Sequence, residues 1–427
     1  MKIVRFPYGK EFLEYNFENE NFLGTLTSSL HGYKSELGGV ELVKKAMENP
    51  IGSPKLSELA KGKKKIVLIA SDHTRPVPSK VIVPPMLEEI RSVNPDADIT
   101  ILIATGCHRL TTREELVSKF GEEIVANEKI EVHISTNDND MVHLGTLPSG
   151  GALKINRLAA EADLLISEGF IEPHFFAGFS GGRKSVLPGV SSRETVLANH
   201  CSEFIASDKA RTGVLDGNPI HNDMLWAAKK ANLAYIVNVI IGENKEAIYA
   251  VAGDVEKAHR AGCDFLSKLC RVSPMCADVA ISTNGGYPLD QNIYQSVKGM
   301  TAAEATVKDG GVIIMISKCN DGHGGEAFYH QLADEADLDK IMSGILAKGR
   351  NETLPDQWEG QILVRILQKA TVIFVSDAPD EMISDMHMVP AHSVSEALAK
   401  AKEILSNKKP SITAIPDGIS VMVVENP

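Results

Sequence analysis

Cysteine is scarce and scattered in this chain. Cys107, Cys201, Cys263, Cys270, Cys276 and Cys319 are the only six in 427 residues, and no two form a CxxC pair. That pattern argues against a disulfide framework or a cysteine–zinc site and fits a reducing compartment, so the expected location is the cytoplasm. Long apolar runs are lacking as well. None approaches the roughly 18 residues that cross a bilayer, and MKIVRFPYGKEF has an early lysine with no apolar segment behind it. Neither a membrane span nor a signal peptide is expected. Basic charge is in deficit: 44 Lys and Arg against 56 Asp and Glu leave a net charge of −12. Nucleic acid and anionic membrane are therefore not expected partners, although local basic residues still allow an anionic substrate. The dinucleotide fingerprint GxGxxG is absent. AGFSGGRKS is not a Walker A loop either, because Arg183 stands where GxxxxGK[ST] requires glycine. No repeat of 20–50 residues or low-complexity tract stands out.

What the chain does contain is short Val- and Ile-rich runs alternating with helical patterns, the mark of βαβ units with buried parallel strands. Strands are expected at KIVLIAS (65–71), ITILIAT (99–105), DLLIS (163–167), YIVNVII (235–241), DVAIST (278–283), VIIMIS (312–317) and TVIFVS (371–376). TTREELVSKFG carries a capping box, Thr111 with Glu114 or Thr112 with Glu115. TAAEATVKDGG ends in glycine, as a helix should. Hydrophobic residues at 43% and charged residues at 23% suit a chain that buries cores. Ser-Pro in KLCRVSPMC (268–276) reads as a linker. It divides an N-terminal domain, 1–270, from a C-terminal one, 271–427. SITAIPDGISVMVV reads as strand, Pro-Asp-Gly turn and strand. Whether these last strands, about 409–427, stay with the second domain or return to the first is open. The expected fold class is α/β: two α/β domains with mainly parallel sheets.

Ligands of open parallel sheets bind beyond the carboxyl ends of the strands, and the unusual polar residues of this chain fall there. DHTRPVP follows 65–71 with Asp72, His73 and Arg75. GCHR follows 99–105 with His108. EGFIEPHFFAGFSGGRKSVLPG follows 163–167 with His174, Arg183 and Lys184. The backbone amides of AGFSGGRKS could cradle a phosphate, with Gly181, Gly182 and Arg183 as its contacts, or form a plain flexible turn. His200, in LANHCSEF, sits on an expected helix and could be a metal ligand. His31, His133, His143, His259, His330, His387 and His392 read as solvated or core residues. In the second domain Asp290 is expected to cap a helix on which Gln291, Tyr294, Gln295 and Lys298 share one face. That stripe is polar and cationic, so it is either a solvated face or the wall of an anion-binding cleft. DGHGGE (321–326) is another glycine-rich loop after a strand. Trp358 in PDQWEG is a packing residue or one wall of a pocket.

Taken together these segments resemble the nickel-dependent lactate racemase family. The resemblance runs in order through SDHTRPVPS, ATGCHR, SEGFIEPHFFAGFSGGRKSVLPG, ANH, STNGGYPLDQNIYQSVKGMTAAEA, DGHGGE and PDQW, covering most of the chain. It implies an active site in the interdomain cleft. It implies nickel held in pyridinium-3,5-bisthiocarboxylic acid mononucleotide, the nickel-pincer nucleotide, which separate cofactor-synthesis proteins must supply. Carried over by position, it makes Lys184 the residue bound covalently to the cofactor through a thioamide. It makes His200 the nickel ligand, and His108 and His174 the acid–base pair. Asp72 and Tyr294 fall at the cofactor; Arg75, Gln295, Lys298 and Trp358 fall at the substrate.

The expected reaction is interconversion of D- and L-lactate through pyruvate. Removing the hydrogen beside a carboxylate as a proton is hard, and general acid–base catalysis contributes only about 10²–10⁴-fold. An electron sink that takes hydride, with a histidine taking the hydroxyl proton, avoids the difficulty. Two histidines would serve the two enantiomers with roles reversed. Arg75 would grip the carboxylate in a bidentate fork and Lys298 would add a point charge. Competing readings are a racemase or epimerase of another 2-hydroxy acid, a nicotinamide-dependent 2-hydroxy acid dehydrogenase, which the missing GxGxxG counts against, and a non-catalytic binder of organic acids or phosphate.

Overall fold

A computed structural model of the chain describes residues 2–242 and 245–424. The chain forms two compact units. The first comprises Leu30–His200 and Ser207–Lys268; the second comprises the chain up to Ser29, Cys201–Ala206 and the chain from Leu269 onward. Among the described residues no helix is long and apolar enough to cross a membrane.

In the first unit, runs such as IVLIA and ITILI are buried residue after residue, which only a sheet covered on both faces provides. Six strands lie in the order Ala247–Gly253, Leu233–Ile241, Leu164–Phe170, Lys65–Ser71, Asp98–Ala104 and Lys129–Val132. All neighbours pair in parallel except the Ala247–Gly253 edge strand. Ile66, Leu68, Ile101, Ile103 and Ile166 pack one face against Ile82, Val83, Met86 and Ile90 of helix Ser79–Arg91. Each such side chain, fully buried, contributes about 1.5–3 kcal/mol. Because Lys65–Ser71, Asp98–Ala104 and Leu164–Phe170 pair in matched parallel register, the segments after Ser71, Ala104 and Phe170 all emerge at one sheet edge.

The second unit has its own parallel six-stranded sheet, ordered Val389–Ala391, Thr371–Val375, Val307–Ile316, Ala277–Thr283, Ser411–Ile415 and Asn21–Thr25. Three expectations are corrected here. Residues up to Ser29 do not join the first unit: Asn21–Thr25 pairs with Ser411–Ile415, and Val4, Phe6 and Phe17 pack against Val279, Ile281 and Val312. A strand's partner across nearly four hundred residues leaves no trace in local pattern. TAAEATVKDGG is not one helix: helix Ile293–Glu304 ends after its first four residues, and Val307–Ile316 runs through the two glycines. The final segment is not a hairpin. Ser411–Ile415 lies inside the sheet, whereas Met422–Val423 pairs in parallel with Arg271–Val272, so both stay in the second unit.

Candidate active site

The shared sheet edge of the first unit gathers two groups of side chains. The first forms where Lys65–Ser71 and Asp98–Ala104 end. A tight turn follows the latter, with Gly106 at φ +55° and the His108 N–H donating to the Thr105 carbonyl at 2.9 Å. It places His108 Nδ1 2.7 Å from Asp72 Oδ2. The other carboxylate oxygen, Oδ1, accepts from the Thr74 hydroxyl at 2.7 Å and the Thr74 N–H at 3.2 Å. Burial pushes the Asp72 carboxyl up, but hydrogen bonds from His108 and Thr74 and the charges of His108 and Arg75 outweigh it and hold Asp72 below its ordinary value. Asp72 therefore stays ionised, and its hydrogen bond fixes the Nδ1–H form of His108, turning Nε2 outward as a base. Arg75 is exposed at the same edge, and its carbonyl accepts from Lys119 Nζ at 3.3 Å.

The second group is organised by one ring. Phe176 meets the His174 ring edge-on at 4.5 Å and the His200 ring at 5.2 Å, and Lys184 Nζ lies 5.8 Å from its centroid. Three residues far apart in sequence are thereby brought together. His174 sits on the short strand Pro173–His174, paired with Gly178–Phe179, and its Nδ1 accepts from the Ala177 N–H at 3.3 Å. His200 is the C-terminal cap of helix Arg193–Asn199, not an interior helical residue. It is 5% exposed, and its Nδ1 donates to the Val196 carbonyl at 3.0 Å. Burial first, then the Lys184 charge, push its pKa down to about 3 against the Val196 bond. A neutral imidazole with its proton on Nδ1 presents Nε2 as the form that binds metals. The two groups are tied through backbone: Gly106 N–H donates to the Gly189 carbonyl at 3.0 Å, and Gly189 N–H to the Lys184 carbonyl at 3.1 Å.

In the glycine-rich turn packing accounts for both glycines and one amide is already bonded. The Gly182 N–H donates to Asn238 Oδ1 at 2.7 Å, so this amide is not open to an anion. A Cβ on Gly181 would lie 2.7 Å from the Phe170 carbonyl oxygen, and one on Gly182 2.7 Å from the His259 ring, so packing demands glycine at both. Arg183 is fully buried and donates to the carbonyls of Phe179 (2.7 Å), Gly181 (3.2 Å) and Ala177 (2.7 Å), with His259 Nε2 at 3.1 Å. Burial lowers this guanidinium to about 10. Arg183, expected from the sequence at the cofactor, has its guanidinium directed at these backbone oxygens. Sequence reasoning missed Phe176 itself and Asn218, whose Nδ2 donates to the Phe176 carbonyl at 2.8 Å while its Oδ1 caps helix Pro219–Lys230. Asn-Pro at a helix start was the available signal for the latter.

Within the second unit, Asn292 rather than Asp290 caps helix Ile293–Glu304. Asp290 is buried and accepts from the Gly9 N–H at 2.6 Å. Lys298 Nζ donates to Gln295 Oε1 at 2.6 Å, and the Tyr294 hydroxyl donates to Asp356 Oδ1 at 3.2 Å. Burial, then the Glu359 and Asp356 charges, push Tyr294 well above its ordinary value, against a hydrogen bond from Trp358. Gln291 precedes the helix and donates to the Pro288 carbonyl at 2.9 Å. Glu359 was not singled out from the sequence. It is 1% exposed, its Oε1 has no hydrogen-bond partner, and burial raises its carboxyl to about 8 despite the Lys298 charge.

Comparison with known proteins agrees along the whole chain. The lactate racemase N-terminal domain pattern matches residues 8–213, and the lactate racemase C-terminal domain pattern matches residues 272–423. The chain is 56% identical over 426 residues to a lactate racemase of Thermoanaerobacterium thermosaccharolyticum, covering 100% of each. It is 55% identical over 424 residues to a lactate racemase of Lactiplantibacillus plantarum, covering 99% of this chain and 100% of that one. The structure of the lactate racemase apoprotein from T. thermosaccharolyticum superposes with a TM-score of 0.96 at 55% identity, covering 99% of this chain and 100% of that one. A Thermotoga maritima protein shares the fold at 20% identity and a TM-score of 0.63, covering 90% of this chain and 98% of that one.

Proposed function

This chain belongs to the lactate racemase family, and we propose that it is an isomerase interconverting D- and L-lactate with a covalently held nickel-pincer nucleotide. The observation that carries the proposal is the set of His174, Lys184 and His200 around Phe176, beside the Asp72–His108 pair at the same sheet edge.

The residues fit such a group. His200 is buried and neutral, with its proton on Nδ1, which leaves Nε2 in the state a metal requires. Lys184 brings an amine close enough to depress His200. In this reading Lys184 holds the cofactor through a thioamide and His200 ligates nickel. When bound, the cofactor supplies the acceptor and donor of the hydride on the substrate's second carbon.

That leaves the hydroxyl proton to the protein. His108 Nε2 takes it from one enantiomer while His174 gives a proton to the oxygen of the mirror product, and the two exchange roles when the reaction runs the other way. The carbon is planar in the 2-keto acid, so its two faces lead to the two enantiomers. Arg75, exposed at the same edge, receives the substrate carboxylate in a bidentate fork. The cytoplasm is the compartment we propose, on the ground of few, scattered cysteines in the sequence.

The test is chiral chromatography of D- and L-lactate incubated with protein made alongside cofactor-synthesis proteins. Racemisation from either enantiomer, together with nickel in the purified protein and a covalent adduct by intact mass that Lys184→Ala lacks, is expected. A panel of other chiral 2-hydroxy acids turned over faster than lactate would move the substrate; no turnover by nickel-loaded protein would sink the reading.

A further inference from the structure

We infer that Glu168 and Lys119 are positioning residues for substrate binding: together they brace the segment 72–78, so that Arg75 meets the substrate carboxylate already in place. The inference rests on the racemase reading above and deepens its substrate side. Glu168 follows Ser167, which lies opposite Ile69 in the parallel register of Leu164–Phe170 with Lys65–Ser71. That register carries its carboxyl to the end of the neighbouring strand. There one oxygen, Oε1, accepts from the Ser71 N–H at 2.9 Å, the Ser71 hydroxyl at 3.1 Å and the Ser79 hydroxyl at 3.2 Å. Ser71 ends the strand before the segment and Ser79 begins the helix after it, so a single oxygen of a buried side chain ties both ends. Helix Ser79–Arg91 has no side-chain cap of its own, and a carboxyl beside its first residue suits its N-terminus.

The middle of the segment is held from another side. Lys119, near the end of helix Arg113–Phe120, donates from Nζ to the Arg75 carbonyl at 3.3 Å. Burial lowers the Lys119 ammonium; the charges of Glu168 and Asp72 oppose that, and the Arg75 charge adds to it. Within the segment the Arg75 N–H donates to the Asp72 carbonyl at 3.3 Å, and Thr74 is tied to Asp72. Pro76 and Pro78 fix two further backbone angles. Arg75 itself is exposed. A long side chain that grips a planar carboxylate in a fork loses affinity when its backbone wanders, because the ordering must then be supplied on binding.

Hydrogen exchange of the peptide spanning 71–79, in protein without cofactor, reads the brace. Initial rates against lactate concentration, in cofactor-loaded protein, read its consequence. Lys119→Met is expected to speed exchange in the segment and to raise KM for both enantiomers about tenfold, with kcat within about twofold of the parent, because a carboxylate grip serves ground and transition states alike. Lys119→Arg is expected to restore KM, since a guanidinium can still donate to the Arg75 carbonyl. Glu168→Met is expected to speed exchange further and to lower kcat as well as raise KM, because Asp72 follows Ser71 directly and orients His108. Glu168→Gln keeps an acceptor oxygen and is expected to fall between Glu168→Met and the parent. A merely structural role would lower the melting temperature and leave KM at its parent value. Unchanged exchange in Lys119→Met and Glu168→Met, or faster exchange with KM unmoved, would overturn the inference. Lys119→Met decides if Glu168→Met folds poorly. Parent protein that racemises nothing, with exchange faster in the variants as expected, would instead sink the racemase reading and leave the brace standing.

Discussion

The two units are built alike, each on a six-stranded and mainly parallel sheet, yet the buried groups whose charged form folding disfavours include imidazoles in one and a carboxyl in the other. The first unit buries imidazoles. Burial, ahead of every other cause, pushes His133 down to about 4, His200 and His221 to about 3, and His259 well below its ordinary value. The second unit buries a carboxyl, Glu359, and raises it to about 8. In both units the neutral form is favoured, but the pH dependence runs in opposite directions. Between the folded and unfolded pKa of a depressed histidine, the unfolded chain binds more protons, so the first unit loses stability as pH falls below about 6.5 toward 4 and 3. For Glu359 the folded chain binds more protons between about 4.5 and about 8, so the second unit loses stability as pH rises through that window. A common architecture thus leaves the acid and alkaline limits to particular buried side chains.

The comparison can be broken or sharpened by experiment. The largest effect is expected in the first unit's chemistry: His108→Ala or His174→Ala should lower racemisation by about 10²–10⁴-fold while nickel and melting temperature hold, read by chiral chromatography and calorimetry. Full activity in both single variants would remove the acid–base pair. Next comes Arg183→Met, which strands the carbonyls of Ala177, Phe179 and Gly181 without their donor. A loss of about 3–5 kcal/mol in urea unfolding is expected, with racemisation falling because His174 and Lys184 lean on the same loop. A smaller effect is expected of His133, whose Nε2 donates to the Ser191 carbonyl at 2.9 Å. Its depressed pKa should make the parent about 3 kcal/mol less stable at pH 4 than at pH 7, and His133→Asn should shed most of that acid sensitivity. The smallest is Glu359→Gln, which should stabilise the protein modestly at pH 9 and leave it unchanged at pH 4. A variant melting identically at both would mean that Glu359 is not held neutral.

Much of the scaffold could be read from residues alone. IVLIA and VIIMI have no polar residue and ITILI only Thr100, so none shows the alternation of a half-exposed strand and buried parallel strands were the economical reading. The Thr112–Glu115 alternative of the capping box is the one present, with both reciprocal bonds formed. His108, His174 and Lys184 were legible because each follows a strand in a loop rich in glycine. At Arg183 glycines beside a cation suggest an anion site, and nothing local says that the guanidinium is buried. Asn292 displaced Asp290 as the helix cap because both residues suit a cap and only the packing of Gly9 against Asp290 separates them. Phe176 and Asn218 carry no polar signature of their own importance.

The order of side chains along the chain therefore determined which strands form, that they are buried on both faces, and which reactive groups stand at their ends, because hydrophobic period and strand-end placement are local properties. Tertiary structure alone decided that the N-terminal strand joins the sheet built by the C-terminal half. It also decided that Asp72 faces His108 and that one phenyl ring gathers His174, Lys184 and His200. Those outcomes depend on contacts between residues tens to hundreds of positions apart, where burial and a single well-placed donor or acceptor outweigh anything a neighbouring residue can specify.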